Sequence, residues 1–511
     1  MSDIINFNES EIVIALVGAI GTDLKKIIEP IKNKLKSYNY TTHDIRVSKQ
    51  VIDFIYPNQD NLPKKFEHIS YYMDKGNEIR KLANDNGILA GGISLIINEA
   101  RKKEQDAAEQ PGPLKNTAFI INSIKTPEEI IRLREIYQTG FYAISVYSEE
   151  KRRKKTLIDM VMTEEQAEAL IRRDEEDPDS YGQKTRDAFH LSDFFVSYDG
   201  NEDIVTNSIH RIIDIIFGDP FKTPTFDEFA MFMAFSSALR SADLSRQVGA
   251  VIAKDQTIIS TGSNDVPKFK GGVYWPSITA TGEVVDDTRG RDYKRGVDSN
   301  SIEKQEIINS IIKKIENQIT SRHIKKKIAR KKLLNRIKKV LYGSKIKDIT
   351  EYGRVVHAEM DAILNCARNG ISTSSTSLYC TTFPCHNCAK HVIASGIERV
   401  VYIEPYPKSK AMCFHDDSIS SVKDDYKTKV IFEPFVGVGP RRFFDLFSMQ
   451  MSDGFPIKRK NSSGKVFPWP GQSLPPLRMQ MYPLNYLEKE TIFVAHFASI
   501  LVKFSSGGSH E

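Results

Sequence analysis

Short apolar runs, each followed by a turn and a helix-like pattern, organise the N-terminal part of the chain. The run 11–17 (EIVIALV) ends in a glycine turn, after which leucine and isoleucine recur at helical spacing from Leu24 to Leu35. Two more apolar runs, 118–122 and 141–146, precede a proline-containing helix start and a basic cluster. Continuous apolar runs of this length are typical of strands buried in a parallel sheet. The pattern predicts a parallel α/β domain over residues 1–218.

A second pattern begins after residues 218–225, whose glycine, prolines and threonines mark a linker. It predicts a helix over 226–240 and a hairpin of strands 248–253 and 257–261. Further on it predicts the alternating helices and strands 357–368, 377–381, 385–394 and 398–404. We therefore expect a second α/β domain over residues 225–440. Residues 441–511 form a C-terminal extension for which the pattern predicts no particular fold.

An insertion at residues 275–349 interrupts the second domain. Within it, residues 321–347 hold twelve Lys or Arg side chains and no acid, with Ile324, Ile328, Ile337 and Val340 spaced as a helical stripe. This composition predicts a basic amphipathic helix. It could bind RNA or a protein regulator, or it could be a solvated face packed on its apolar stripe, and the sequence favours neither.

Composition narrows the classes of protein that the chain can form. Its 511 residues are 40% hydrophobic and 27% charged, with a formal net charge of +6. These values exclude collagen, a coiled-coil rod and a disulfide scaffold. Apolar runs fall short of the roughly 18 residues that a spanning helix needs, and the N-terminus lacks the pattern of a secretory signal. We expect a cytoplasmic protein without a membrane span.

Two short motifs contain residues that are typical metal ligands. The first is His357-Ala-Glu359, and the second is Pro384 followed by Cys385 and Cys388. Side chains two residues apart on a helix point about 200° apart, so His357 and Glu359 can meet only in front of the first turn. Cys385 and Cys388 share one face of the first turn of a second helix. Two helix N-termini are therefore expected to face one another across a metal site.

Three ligands, His357, Cys385 and Cys388, leave one position of a tetrahedral Zn²⁺ for water, which is the pattern of a catalytic site. Glu359, close but not ligating, is the expected catalytic proton carrier. The alternative is a structural zinc site or a pair of buried thiols. A structural site needs a fourth Cys or His ligand, and Cys380, the nearest candidate, lies in a predicted strand.

With these motifs, residues 226–440 resemble the cytidine and deoxycytidylate deaminase superfamily, whose zinc signature is H-x-E…P-C-x-x-C. The matching segments are 241–250, 261–264, 357–359, 378–385, 388–390 and 402–408. The resemblance implies an α/β/α fold and is greatest to deoxycytidylate deaminases. It also implies that Asn264 contacts the sugar hydroxyl of the substrate, and that Tyr406 and Lys408 lie near the base and phosphate.

The N-terminal domain, up to about position 215, resembles the P-loop kinase-like domain that is fused to a deaminase in bacterial antiphage dCTP deaminases. The phosphate loop departs from G-x-x-x-x-G-K-[ST], because it is shorter and has Thr-Asp where Lys-Ser should stand. Backbone amides there could still cradle a phosphate, although Asp23 would repel it. The residues expected to form this degenerate nucleotide-binding loop are Gly18, Ala19, Gly21, Thr22 and Asp23. Whether ATP or another nucleotide binds there stays open.

The resemblance implies hydrolytic deamination of free dCTP, together with dCMP, which would deplete the dCTP pool in antiphage defence. It also implies a homo-oligomer. Three alternatives stay open. The chain could be a housekeeping dCMP deaminase that supplies dUMP, or an editing deaminase that acts on RNA or single-stranded DNA. It could also be a nucleotide-sensing protein with residual deaminase activity.

Overall fold

The computed structural model describes residues 10–57, 65–105, 112–318, 327–349, 351–406, 408–451, 454–470 and 475–507. The chain divides into two compact units, which are described separately. The first unit comprises residues 1–229 and 434–511, and the second comprises residues 230–433. In the described part of the chain, every helix is too short or too polar to span a bilayer.

The first unit is built on a mainly parallel sheet. Residues 1–229 contribute five of its strands: β1 (Ile12–Gly18), β2 (Thr41–Arg46), β3 (Thr117–Ile124), β4 (Phe141–Tyr147) and β5 (Phe194–Ser197). Its helices are α1 (Lys25–Ser37), α2 (Asp53–Ile55), α3 (Lys65–Ala83), α4 (Ile88–Glu104), α5 (Pro127–Tyr137), α6 (Glu150–Asp159), α7 (Glu164–Glu175), α8 (Thr185–Phe189) and α9 (Glu202–Ile216). The next helix, α10 (Phe226–Ala238), contains the division between the units.

The strand β1 lies at the centre of this sheet, paired in parallel with β3 on one side and β4 on the other. Ile12, Ile14 and Leu16 belong to the core on one face, whereas Val13 and the other odd positions belong to the core on the opposite face. Because both faces are covered, every residue of β1 is buried. This burial explains the continuous apolar run. The prediction of a mixed α/β chain with a parallel sheet is confirmed.

The second unit contains a mixed sheet with the order β12-β13-β11-β10-β6-β7. Its strands are β6 (Gly249–Lys254), β7 (Thr257–Ser263), β8 (Ser277–Ile278), β9 (Val284–Val285), β10 (Thr376–Thr382), β11 (Ile397–Glu404), β12 (Ile419–Ser420) and β13 (Val430–Pro434). Its helices are α11 (Asp292–Arg295), α12 (Ser299–Gln318), α13 (Lys327–Gly343), α14 (Ala358–Arg368), α15 (His386–Ala394) and α16 (Ala411–Phe414). β10 pairs in parallel with β11 and antiparallel with β6.

The insertion within the second unit holds β8, β9 and the helices α11 to α13. Its buried Arg291 pairs with Asp265 at 2.9 Å and with Asp286 at 3.2 Å. The predicted basic helix is described only from Lys327, since residues 321–326 lie outside the described residues. Ile328 and Val340 are 74% and 69% exposed, so these two residues of the apolar stripe are not packed against the described part of the protein.

The chain after residue 433 returns to the first unit, with β14 (Gly437–Val438), α17 (Pro440–Phe447) and α18 (Pro483–Gly507). β14 pairs antiparallel with β5 at the sheet edge, giving the order β14-β5-β4-β1-β3-β2. Tyr486 and Phe497 of α18 enter the core beside α4. The described residues of the expected C-terminal extension, 441–511, therefore contribute to the core of the first unit, and the second unit ends at residue 433.

Candidate metal centre and active site

Two helix N-termini bring the predicted metal ligands together. His357 is the N-cap residue of α14, and Cys385 is the N-cap residue of α15. The Nδ1 atom of His357 lies 3.4 Å from the sulfur of Cys385 and 3.3 Å from the sulfur of Cys388. Partial positive charge at both N-termini favours thiolate at this place.

The close packing of α14 against the hairpin fixes the position of His357. A Cβ atom on Gly262 of β7 would lie 2.2 Å from the carbonyl oxygen of Ala358, so only glycine allows this approach. One turn further along α14, the buried carboxylate of Asp361 accepts the backbone N–H of Ser263 at 3.1 Å. These two contacts hold the first turn of α14 against the end of β7.

The three donor atoms fit a tetrahedral zinc ion. They all lie within 4.8 Å of one another, and the described residues offer no other group of three His, Cys, Asp or Glu with this geometry. Zinc bonds of 2.3 Å to sulfur and 2.0–2.1 Å to nitrogen place such donors about 3.6 Å apart. Cys380 does not belong to the group. A fourth protein ligand, which a structural site requires, is thus not among the described residues.

The three donor groups of the cluster shift one another's pKa values. The hydrogen bond from Cys388 and the neighbouring His357 lower the pKa of the Cys385 thiol to about 4, although burial opposes this shift. The hydrogen bond with Cys385 raises the pKa of His357 to about 9, again against burial. The pKa of Cys388 rises, because its thiol donates to Cys385 and is buried. A metal ion bound to these three donors would displace the protons of His357 and Cys388, because zinc binds neutral imidazole and thiolate.

Glu359 lies next to this cluster in the first turn of α14. Its side chain is buried, with 4% of the residue exposed. Burial raises the pKa of Glu359, the charge of Cys385 adds to the rise, and His357 opposes it. A buried carboxyl group with a raised pKa can both accept and return a proton.

Asn264 lies just after β7, and its side chain is engaged by backbone groups. Its Oδ1 atom accepts the N–H of Val248 at 2.7 Å, and its Nδ2 atom donates to the carbonyl of Arg246 at 2.8 Å. Its own carbonyl accepts the hydroxyl of Ser241 at 2.6 Å. Asn264 therefore braces the segment 241–248, and it keeps one amide hydrogen and one lone pair for another partner.

Tyr406 and Lys408 follow the end of β11. Tyr406 is half-buried, and burial together with the charge of Cys385 raises its pKa. Lys408 is exposed and pairs with Asp348, a residue of the insertion, at 2.8 Å. The insertion thus supplies a carboxylate to the lysine that is expected to meet the substrate phosphate.

Two residues near this site were missed by the sequence analysis. Arg246 lies within the segment 241–250, so its position beside the motif could have been noticed. Its guanidinium group pairs with Glu404 at 3.0 Å and lies 5.9 Å from the ring centroid of Tyr406. The pairing of Asp348 with Lys408 could not be predicted from the sequence, because Lys408 lies 60 residues further along the chain, after all three metal ligands.

The predicted phosphate loop lies at the end of β1 in the first unit. Gly21 has a φ of +83°, and a Cβ atom there would lie 2.5 Å from the carbonyl oxygen of Arg153, so the turn requires glycine. The backbone N–H of Ile20 donates to the buried carboxylate of Asp174 at 2.8 Å. The ammonium group of Lys125 donates to Asp174 at 2.8 Å and to the carbonyl of Gly18 at 2.9 Å.

The remaining loop residues make a tight turn into α1. Ala19 accepts the backbone N–H of Thr22, and the hydroxyl of Thr22 is buried without a hydrogen-bond partner. The carboxylate of Asp23 accepts the backbone N–H of Lys25 at 3.2 Å. One backbone amide of the loop, that of Ile20, is thus already occupied by a carboxylate of the protein itself.

Residues 224–404 match the family described as the cytidine and deoxycytidylate deaminase zinc-binding region. The chain is 49% identical over 55 residues to a deoxycytidylate deaminase of Enterobacteria phage T4, which covers 11% of this chain and 28% of the relative. It is 57% identical over 49 residues to a probable deoxycytidylate deaminase of Drosophila melanogaster, covering 10% of this chain and 23% of the relative. The chain thus spans less than a third of the length of these relatives.

A longer match joins the chain to a deoxycytidylate deaminase of Saccharomyces cerevisiae, with 24% identity over 266 residues, covering 50% of this chain and 63% of the relative. Among solved structures, the dCMP deaminase of cyanophage S-TIM5 aligns over 42% of this chain and 100% of its own length, with 15% identity. Its TM-score of 0.22 is too low for an argument about fold. The family match, residues 224–404, falls largely within the second unit.

Proposed function

We propose that the cytidine and deoxycytidylate deaminase region of this chain removes the amino group of free deoxycytidine nucleotides, dCTP and dCMP, by hydrolysis. The products are the corresponding uracil nucleotide and ammonia. The observation that carries this proposal is the cluster of His357, Cys385 and Cys388, whose donor atoms lie within 4.8 Å of one another beside the buried Glu359. The described residues around it offer three ligands and one proton carrier, which is the requirement of this chemistry.

His357, Cys385 and Cys388 would hold Zn²⁺, which lowers the pKa of water from 15.7 to about 7 when bound in a catalytic site. Glu359 accepts a proton from the attacking water. It delivers this proton to N3 of the cytosine ring. It then takes the second proton from the hydroxyl group newly bonded to C4 and delivers it to the amino group, so that the C4–N bond breaks, ammonia leaves and C4 keeps a carbonyl oxygen. The buried position of Glu359 keeps bulk water from competing for these protons.

The residues around the cluster would position the nucleotide. Tyr406 lies within electrostatic range of Cys385, so its half-buried ring can line the base site. Lys408, 53% exposed at its side chain, can reach a phosphate when Asp348 releases it. Asn264 has one amide hydrogen free to bind a sugar hydroxyl while it holds the segment 241–248.

We further propose that dCTP is the principal substrate and that its depletion serves antiphage defence. The resemblance of the N-terminal domain to the domain fused to antiphage dCTP deaminases supports this role. The alternative is a housekeeping dCMP deaminase that supplies dUMP. The similarity to relatives described as deoxycytidylate deaminases favours that alternative.

Ammonia release separates these functions. The zinc-loaded full-length protein is offered dCTP, dCMP, CTP, cytidine and single-stranded RNA in parallel, with the Cys385→Ser variant as the control for metal-dependent turnover. Turnover of dCTP at a kcat/KM equal to or above that of dCMP supports the defence role. Turnover of dCMP alone supports the housekeeping role. Turnover of RNA alone, or of no substrate, overturns the proposal.

A further inference from the structure

The insertion at residues 275–349 leaves and rejoins the second unit beside the metal site. Before it, Asp265 lies just after β7, and after it, Val356 precedes the expected metal ligand His357. These two residues form an antiparallel bridge. In it, the N–H of Val356 donates to the carbonyl of Asp265 at 3.0 Å, and the N–H of Asp265 donates to the carbonyl of Val356 at 3.3 Å. The bridge holds the chain on the N-terminal side of His357.

Arg291, a buried residue of the insertion, holds the Asp265 side of this bridge. Its guanidinium group forms ion pairs with Asp265 at 2.9 Å and with Asp286 at 3.2 Å, and it donates to the carbonyl of Tyr274 at 2.9 Å. Arg291 is 5% exposed and Asp265 is 1% exposed. Two of these three contacts therefore reach the chain just before the insertion begins.

Asp292, the next residue, holds the other side of the bridge. Its carboxylate pairs with the guanidinium group of Arg354 at 2.6 Å, and Arg354 also donates to the carbonyl of Gly290 at 3.0 Å. Arg354 lies shortly before His357 in the sequence. Residues 290–292, which we call the insertion clamp, therefore contact the chain on both sides of the insertion.

Ion pairs of this kind fix positions more than they add stability. Taking two charges out of water costs about as much free energy as their attraction returns, so a buried pair contributes little net stability. Moving one partner away, however, leaves a buried charge without compensation. Because Arg291 and Asp292 carry opposite charges, exchanging their partners Asp265 and Arg354 would bring like charges together. The insertion clamp therefore favours a single arrangement of the two chain segments.

The position of His357 is set by the chain on both of its sides. On the C-terminal side, the N–H of Asp361 donates to the carbonyl of His357 at 2.8 Å, where α14 begins. His357 itself has an extended backbone, with φ −71° and ψ 154°, so the helix alone does not fix its orientation. The bridge through Val356 supplies the support on the other side. Metal ligands must reach their ion within about 0.2 Å, so a shift of this backbone would weaken metal binding.

We propose that Arg291 and Asp292 are positioning residues for the metal site. They hold the bridge between Asp265 and Val356, and through this bridge they hold the ligand atom of His357. The insertion is thereby part of the support of the metal site. The expected effect on catalysis rests on the proposed deaminase function, whereas the effects on the bridge and on zinc binding are independent of any substrate.

Two variants of the full-length protein break the insertion clamp from different sides. Arg291→Met removes the cation that faces Asp265, but it leaves buried carboxylates without a partner, which can prevent folding. Arg354→Met removes only the pair with Asp292, at a side chain that is 24% exposed, so this variant should fold. Arg289→Met is the matched control, because it makes the same substitution at an exposed position of the insertion.

Hydrogen–deuterium exchange of the metal-free protein reports the bridge directly. The N–H of Val356 is protected by its bond to Asp265. We expect this amide to exchange at least about tenfold faster in the two clamp variants, and at the wild-type rate in Arg289→Met. Amides of β10 and β11, central strands of the same sheet, should exchange at the wild-type rate in all three variants. This comparison separates a loosened bridge from general unfolding.

The second readout is the affinity for zinc, measured by competition with a chelator. Loss of the contacts that support a metal ligand typically costs 10–100-fold in metal affinity or activity, so we expect the Kd for zinc to rise about tenfold in the clamp variants. In zinc-saturated protein, kcat for dCMP should fall about tenfold, with KM within about twofold of the wild-type value, because the clamp acts on the metal site and not on the bound nucleotide.

Three results overturn the proposal. The first is wild-type exchange of the Val356 amide in the folded clamp variants. The second is a wild-type affinity for zinc in variants whose bridge has loosened. The third is an equal effect in Arg289→Met, which would show that removing any charge from the insertion is enough. Absence of deamination by the wild-type protein would contradict the proposed function alone, since exchange and zinc affinity are measured without substrate.

Discussion

Asn264 and Val248 exchange two hydrogen bonds: the N–H of Val248 donates to Oδ1 of Asn264 at 2.7 Å, and the N–H of Asn264 donates to the carbonyl of Val248 at 3.1 Å. Together with the bond from Nδ2 to Arg246, they fix the segment that presents Arg246 beside Tyr406. Asn264 therefore shapes the rim of the site through the backbone, in addition to any contact with a substrate.

Asn264→Ala should destabilise the second unit, because it leaves the N–H of Val248 and the carbonyl of Arg246 unpaired. We expect a loss of about 2 kcal/mol in the free energy of unfolding, measured by urea denaturation. Asn335→Ala, at an exposed position of α13, should change this free energy by less than about 0.5 kcal/mol. Equal stability of the two variants would contradict the bracing role of Asn264.

The metal content of the protein should depend on three side chains. Wild-type protein should carry about one zinc per chain, measured by mass spectrometry of the metal, and His357→Ala or Cys388→Ser should lose most of it. Cys413→Ser is the matched control, because Cys413 is an exposed cysteine outside the cluster. Zinc retained at the wild-type level in both ligand variants would rule out the proposed ligand set.

The metal cluster could be predicted from the sequence because each ligand lies at the start or in the first turn of a helix. His357 and Cys385 are both N-cap residues, and spacing within one helical turn fixes where Cys388 points. The continuous apolar run of β1 was equally informative, because that strand is buried on both faces. The exposed strand β2, of which only Ile45 is buried, left no such signal.

Releasing Lys408 from its partner should strengthen the binding of phosphorylated substrates. Asp348→Asn removes the carboxylate that pairs with Lys408 at 2.8 Å. We expect the KM for dCMP to fall about two- to threefold, as suits an exposed ion pair, with kcat unchanged. The KM for deoxycytidine, which has no phosphate, should stay the same. The control variant Asp424→Asn, at an exposed position, should leave the KM values for dCMP and deoxycytidine unchanged. An unchanged or higher KM for dCMP would show that Lys408 does not contact the phosphate.

The C-terminal helix should contribute directly to the stability of the first unit. The hydroxyl of Tyr486 donates to the buried carboxylate of Glu11 at 2.8 Å. Tyr486→Phe removes this charge-assisted bond, so we expect the free energy of unfolding of the first unit to fall by about 1–2 kcal/mol. Tyr426→Phe, at an exposed position, should have no measurable effect. Wild-type stability of Tyr486→Phe would contradict the assignment of α18 to this core.

Contacts of this kind explain what the sequence could not predict. Arg101 of α4 is fully buried between Glu11 and Glu490, which come from opposite ends of the chain. Neither periodicity nor composition relates such positions, so the tail after residue 440 had no predictable fold. The occupation of the glycine loop by Asp174 escaped prediction for the same reason, since Asp174 is distant in sequence from its partner Ile20.

We propose that Glu359 carries protons at a zinc site, and the Glu359→Gln variant tests this role most directly. Ammonia release from dCTP and dCMP and bound zinc are measured on the same preparation of the variant and of the wild-type protein. We predict that the variant keeps its zinc and loses roughly 10²–10⁴-fold in kcat. Turnover within a few-fold of the wild-type rate, with zinc bound, would contradict the account.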